Sequence, residues 1–144
     1  MTADAAAEVA RSVLGPAGLL GHLVGRGSWW RSEATLEAGK RAIAHVMADA
    51  FDMCRPIWAL YPQLDPSTHP DPLGLASRAV TYTDTPDDLR KILQDMRMGL
   101  GVALPTLGTA FPADKELLSR HADALLRSTL TAERVIEEAA SSPK

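Results

Sequence analysis

The sequence predicts an all-α fold, with residues 1–144 forming a single domain built as a bundle of four main helices. The length and the apolar content of 46% suit one hydrophobic core. The apolar residues are mostly Ala, Leu and Val, with three Trp, two Tyr and two Phe, and alanine is the strongest helix former. Apolar residues recur at helical spacing, whereas no segment of useful length alternates as a strand does. One-sided helices of this kind are stable only when their apolar stripes pack together.

The first helix is predicted to begin at Asp4, an N-cap residue, and to end at Leu14. Gly15-Pro16 is expected to end this helix, because glycine is common just after a helix end and proline cannot continue the helix. The apolar segment 17–24 comes next and leaves room for a short fifth helix.

The second helix is predicted to begin after Ser28 or Ser32, either of which is a good N-cap residue. Pro56 is expected to kink the helix or to end its main body near Arg55. The apolar stripe of this helix repeats every seven residues, at Leu36, Ile43, Ala50 and Ile57.

Residues 62–84 are predicted to form an irregular proline-rich loop, with only a turn of helix near 73–79. A structureless connection of about 20 residues is uncommon in a compact domain. The segment is therefore either a packed loop or a mobile element.

The third helix has the clearest start signal in the chain. Thr85 suits the N-cap, Pro86 suits the first helical position, and Asp87 and Asp88 meet the positive end of the helix dipole. Pro105 is expected to close the helix. The predicted apolar face consists of Leu89, Ile92, Leu93, Met96, Leu100, Ala103 and Leu104.

The fourth helix is predicted to begin near 112–114 and to run to about Ala140, before a polar tail at 141–144. Its apolar stripe consists of Leu118, Ala122, Leu125, Thr129, Ala132 and Ile136.

Charge and cysteine content exclude several classes of function. The net charge is −3, and the densest basic stretch, at 90–97, is interleaved with acidic residues, so nucleic-acid binding through phosphates is not expected. Cys54 is the single cysteine, which rules out an intrachain disulfide. We find no signal peptide and no apolar stretch that spans a bilayer, so we expect a cytoplasmic protein without a membrane role.

His45, Asp49 and Asp52 resemble a metal or acid–base group, because spacings of four and three place them on one helix face. That face lies opposite the apolar stripe and also carries Arg41. We interpret it as a solvated face with paired charges.

Asp114, His121 and Ser128 have the residue types of a nucleophilic triad, but neighbours seven residues apart on a helix are separated by about 10 Å. No Glu-x-x-His, His-Glu-x-x-His or phosphate-loop motif occurs. The sequence therefore predicts neither a metal nor a cofactor, and it leans against an enzyme.

Trp29 and Trp30 are adjacent, follow a glycine breaker and precede Arg31. Adjacent helical residues are about 100° apart, so both rings do not easily enter one core. The rings either cap a core poor in other large side chains or contact a partner, since tryptophan is a preferred interface anchor. On the second interpretation, these three residues are candidate partner-binding residues.

The leading functional hypothesis is a non-enzymatic helical module for protein–protein interaction or self-association, acting as a homodimer. The alternative is a bundle that binds a small molecule or cofactor near Trp58, Tyr61 and His121, with the loop at 62–84 as a lid. A third hypothesis is a transcription-associated regulator, which would require salt-dependent DNA binding that this charge pattern does not favour.

Overall fold

The computed structural model describes residues 3–64, 82–110, 113 and 115–141. These contain four α-helices and, after the second, a short 3₁₀ turn at Pro62–Leu64. No strand occurs among these residues, so the prediction of an all-α bundle of four main helices is confirmed. The helices are α1 (Ala3–Leu23), α2 (Glu33–Leu60), α3 (Pro86–Ala110) and α4 (Lys115–Ser141).

In the described part of the chain, three prolines lie inside helices: Pro16 in α1, Pro56 in α2 and Pro105 in α3. The predicted helix ends at Leu14 and at Pro105 are therefore wrong, segment 17–24 is no separate helix, and Pro56 does not end α2. An internal proline removes one hydrogen bond and costs about 3 kcal/mol. Packing beyond the proline offsets that cost in α1, where three buried side chains follow it: Ala17, Leu20 and Leu23.

The predicted helix starts of α2 and α3 are confirmed in detail. Ser32 is the N-cap of α2 and accepts a hydrogen bond from the Thr35 amide at 3.1 Å, while the Thr35 hydroxyl accepts one from the Ser32 amide. Thr85 accepts a hydrogen bond from the Asp88 amide at 3.2 Å at the start of α3. At the other end of the chain, α4 includes Ser141, which the sequence assigns to the polar tail.

The helices α1 and α2 pack side by side and are joined by the short loop 24–32, so they run in opposite directions. Helix α1 also packs on α3, and two contacts fix the direction of that pair. Gly99 lies against Ser12, and the Gly25 amide contacts Asp84. Later residues of α3 thus meet earlier residues of α1, which makes this pair antiparallel too.

Helix α4 packs on both α2 and α3 and completes the bundle. Arg97 pairs with Glu133, and Arg90 lies 3.9 Å from Glu137, so α3 and α4 are antiparallel. Consequently α1 and α4 run one way while α2 and α3 run the other.

This direction pattern accounts for the long connection between α2 and α3. Because these helices are parallel, the chain leaves α2 at one end of the bundle and begins α3 at the other. Leu36 lies near Gly25 at one end and Leu60 ends the helix, and at 1.5 Å per residue that separation is roughly 36 Å. Bundles with crossover connections use long linkers for this reason. Residues 65–81, which contain most of the predicted loop at 62–84 and its possible turn, lie outside the described residues.

The core is aliphatic, and none of its fully buried hydrophobic side chains is aromatic among the described residues. Alanines at the helix contacts let the backbones approach closely, and the larger side chains fill the spaces between them. The aromatic side chains that pack on this core are only partly buried: Trp29, Trp30, Trp58, Tyr61 and Tyr82.

Candidate functional site

A buried carboxylate ties the loop between α1 and α2 to the start of α3. The side chain of Asp84 is only 6% exposed and accepts four hydrogen bonds. Its Oδ2 accepts from the Gly25 and Gly27 amides, at 2.9 and 2.8 Å, and from Trp30 Nε1 at 2.9 Å. Its Oδ1 accepts from Trp29 Nε1 at 3.0 Å. We call Asp84 with its four donors the Asp84 clasp.

Two glycines allow the clasp to form. Gly25 has a φ of +91°, a left-handed conformation that glycine adopts without strain, and it turns the chain at the end of α1. A Cβ at Gly27 would lie much closer to the Asp84 carbonyl oxygen than the van der Waals contact distance allows. The loop therefore lies directly against the backbone before α3, which a larger residue at position 27 would prevent.

Trp29 and Trp30 stand just before α2, outside any helix, so the 100° separation of helical neighbours does not apply to them. Their ring centroids are 3.9 Å apart, and both rings are half-buried against the core. The Trp30 ring also fills the space above Gly39 of α2. Both indole N–H groups are engaged within the chain, and Arg31 is exposed. A partner-binding role for Trp29, Trp30 and Arg31 stays a prediction.

A second polar cluster joins α2 to α4. The Ser128 hydroxyl donates a hydrogen bond to the Asp49 carboxylate, and both side chains are half-buried. Asp49 therefore faces α4, whereas the sequence places it on a solvated face. The reason is that α2 packs against both α1 and α4, so more of its surface is covered than the single apolar stripe that the sequence shows. Asp52 fits the solvated interpretation, because it pairs with Arg55 at 3.4 Å on the surface.

Beside Asp49 lies an open groove of about 320 Å³, which we call the α2–α4 groove. Small side chains on both helices leave the space, and His45 and Arg127 add polar groups at its edge. Among the described residues, no group of three or more His, Cys, Asp or Glu side chains is placed to hold a metal ion. The groove is lined by Ala42, His45, Asp49, Ala124, Arg127, Ser128 and Thr131.

The predicted ligand-binding residues occupy the far end of α2 and the first half of α4. Trp58 is half-buried and contacts Phe51 at a ring-centroid distance of 5.8 Å, and its buried Nε1–H has no acceptor among the described residues. Tyr61 follows the last residue of α2, and its amide donates to Ile57. His121 is half-buried on α4. None of these three predicted residues lines the α2–α4 groove, and a ligand-binding role for them stays a prediction.

Cys54 is buried in the core, and this burial raises the pKa of its thiol to about 12. The thiol is protonated at neutral pH, and a protonated thiol is a poor nucleophile and a poor metal ligand. Cys54 therefore acts as a small apolar core residue.

The outward side of α3 changes character along its length. Six of the twelve residues 86–97 are charged, whereas none is charged from Met98 to Ala113. Met98 and Val102, one turn apart, are 71% and 79% exposed. Gly101 and Pro105 lie on the same side and are also exposed. We call these four residues the outer α3 face.

The other large apolar side chains that are exposed in the described part of the chain do not form such a pair. These residues are Phe51 and Leu60 of α2 and Leu117 and Leu130 of α4. Within each helix the two residues are too far apart in sequence to lie on neighbouring turns. Single exposed apolar residues are common on protein surfaces, but two on adjacent turns with no charge between them are a candidate contact surface.

Comparison with protein-family models, with curated proteins and with solved structures gives no match to this chain. No helix in the described ranges combines the length and the apolar character that crossing a membrane requires.

Sequence reasoning missed Asp84, although it stands directly before the strongest start signal in the chain. Its donors lie 54 to 59 residues earlier, and a contact across that distance leaves no local pattern. One partial signal exists: Gly25 and Gly27, two glycines separated by one residue, can point two backbone amides at one anion. The glycine pair alone does not identify the acceptor.

Proposed function

We propose that this chain is a helical protein–protein interaction module whose contact surface is the outer α3 face. The observation that carries the proposal is the exposure of Met98 and Val102 on adjacent turns of an uncharged half-helix. Burying a large apolar side chain stabilises an interface by about 1.5–3 kcal/mol. Two such side chains on one face supply a useful part of the energy that a specific contact needs.

The backbone at Gly101 supports the same surface. A Cβ at this position would meet nothing within 4 Å, so no contact inside the described chain requires a glycine there. Glycine in a helix costs about 1 kcal/mol relative to alanine. An exposed glycine between Met98 and Val102 lets another helix approach the backbone closely.

The partner that we propose is a second copy of the chain. A homodimer with two-fold symmetry brings the same face of each copy together, so one apolar face is enough for a self-complementary contact. We place this module in the cytoplasm, which is consistent with a chain whose single cysteine, Cys54, is buried in the core.

Native mass spectrometry of the purified chain tests the proposal. The wild type should be a dimer, and the double variant Met98→Lys, Val102→Lys should be a monomer with unchanged helix content. Leu130→Lys is the matched control, because Leu130 is an apolar residue of α4 that is 52% exposed. A monomeric wild type, or a dimer that the double variant leaves intact, contradicts self-association through this face.

A second candidate function, binding of a small molecule, is favoured by the α2–α4 groove. Its volume of about 320 Å³ lies at the lower end of the range for ligand pockets. The same mass spectrum would report a retained ligand as added mass. If Ala124→Leu, which fills the groove, abolishes that added mass, the ligand binds there; if the mass persists, the region of Trp58, Tyr61 and His121 becomes the place to test.

A further inference from the structure

Four N–H donors of the loop between α1 and α2 converge on one carboxylate. Two are the backbone amides of Gly25 and Gly27, and two are the indoles of Trp29 and Trp30. All four donor–acceptor distances lie between 2.8 and 3.0 Å, which is the ordinary range for a good hydrogen bond. The acceptor, Asp84, belongs to a different part of the chain.

The donors are held in place by elements other than Asp84. The Val24 and Arg26 amides donate to carbonyls at the end of α1, and the Ser32 N-cap fixes the start of α2. The Trp30 ring is seated on Gly39 of α2. The loop is thus anchored on both sides by helices that do not include α3.

The anion has no positively charged partner to account for its burial. No Lys, Arg or His side chain of the described residues forms an ion pair with Asp84. Burying a carboxylate is costly unless hydrogen bonds replace its lost water. Here the four loop donors do so, and backbone amides that converge in a turn are a known way to bind anions.

We propose that the loop from Gly25 to Trp30 is a carboxylate-binding site, which Asp84 occupies as a ligand tethered by the chain. The ligand class is a single carboxylate group on a small carbon chain. Because Asp84 lies just before α3, its binding to this loop fixes where α3 begins. The contact also anchors the end of the connection between α2 and α3. The tether gives Asp84 a high effective concentration, which excludes free carboxylates from the wild-type site.

Chemical replacement of the Asp84 side chain tests this proposal. Asp84→Gly removes a group that corresponds to acetate. Sodium acetate, added at constant ionic strength with sodium chloride, should raise the melting temperature of Asp84→Gly along a saturating curve. The wild type should show no such increase. Acetamide, which has the same shape without the charge, should have no effect on the variant.

Two further measurements make the result specific to the loop. Acetate should shift the two indole N–H and the Gly25 and Gly27 amide resonances of Asp84→Gly in ¹H–¹⁵N spectra. Adding Trp29→Phe to Asp84→Gly removes one donor and should raise the apparent dissociation constant for acetate about tenfold, the equivalent of one hydrogen bond.

If Asp84→Gly does not fold in chloride buffer, refolding in acetate and refolding in acetamide become the comparison. Folding in acetate alone supports the proposal, and failure in both overturns it. Equal stabilisation by acetamide or chloride overturns it as well, as does a folded variant that acetate leaves unchanged.

Discussion

The Asp84 clasp and the outer α3 face are two regions with opposite chemistry, one hydrogen-bonded within the chain and the other exposed. The clasp contains two tryptophans, the residue type most typical of interfaces, yet both indole N–H groups donate to a carboxylate of the same chain. The outer α3 face contains aliphatic residues and glycine, and Met98 and Val102 remain largely exposed.

This difference shows that residue type alone does not identify a contact surface. A tryptophan carries a large apolar area and one hydrogen-bond donor, so a buried internal acceptor can account for it. The side chains of methionine and valine have no hydrogen-bond donor, so their favourable interaction is the burial of apolar surface. Substitutions in the Asp84 clasp should therefore change folding stability, and substitutions on the outer α3 face should change the oligomeric state.

Gly27→Ala should have the largest effect, because a Cβ there collides with the Asp84 carbonyl oxygen. Either the loop or the start of α3 must then move, at a cost of about 3 kcal/mol or more in the free energy of unfolding. Urea denaturation followed by circular dichroism measures this loss.

The matched control for that variant is Gly101→Ala, where the new Cβ points into open space. Alanine is the better helix former, so Gly101→Ala should stabilise the monomer by up to about 1 kcal/mol. If Gly27→Ala is as harmless as Gly101→Ala, the contact between Gly27 and the Asp84 backbone is not rigid.

Glu133→Gln should have an intermediate and pH-dependent effect. Burial raises the pKa of Glu133, but hydrogen bonds from Gln94 and Arg97, with the charges of Arg97 and Arg90, outweigh it and hold the pKa below its usual value. The resulting stability is present above the unfolded pKa of about 4.3 and is lost as pH falls through the lower folded pKa.

At neutral pH the variant should lose about 1 kcal/mol, since the pair is partly buried. The difference from wild type should shrink towards pH 3 in urea denaturation. Glu137→Gln is the control, because Glu137 is 52% exposed and lies 3.9 Å from Arg90, so little change is expected. A pH-independent loss for Glu133→Gln would point to packing in place of charge.

The smallest change in intrinsic folding stability is expected for the double variant Met98→Ser, Val102→Ser. Exposed side chains contribute little to the monomer, so its free energy of unfolding should change by less than about 0.5 kcal/mol. Urea curves of the wild type should shift with protein concentration, because dimerisation stabilises the folded state, whereas curves of the variant should not. A large loss at every concentration would mean that these residues support the monomer fold.

The sequence predicted helix starts better than helix ends. The Ser32 and Thr85 caps are local, since each depends on a side chain and an amide three residues later. Pro16 and Pro105 are local signals too, but whether a proline ends a helix depends on what the following residues pack against. Buried Leu20 and Leu23 continue α1 beyond Pro16.

The candidate sites could be predicted from the sequence less completely than the helices. The sequence places Asp49 on a polar helix face, but its hydrogen bond to Ser128 requires α4 to lie beside α2. Met98 and Val102 do not belong to the predicted apolar stripe of α3, so the sequence places them on another side of the helix. It does not show whether another helix covers that side. Their exposure follows from the arrangement of all four helices.

Local signals in the sequence were enough to predict that the chain is helical, where most helices begin, and most residues of the apolar stripes. These properties depend on backbone preference and on a period of 3.6 residues, both of which act over a few residues. The packing of the helices sets their directions and the need for a long connection. It also sets the hydrogen bonds from Trp29 and Trp30 to Asp84 and the exposure of the outer α3 face. Each depends on residues far apart in sequence, such as Asp84 and Gly25, whose contact forms only when the helices pack.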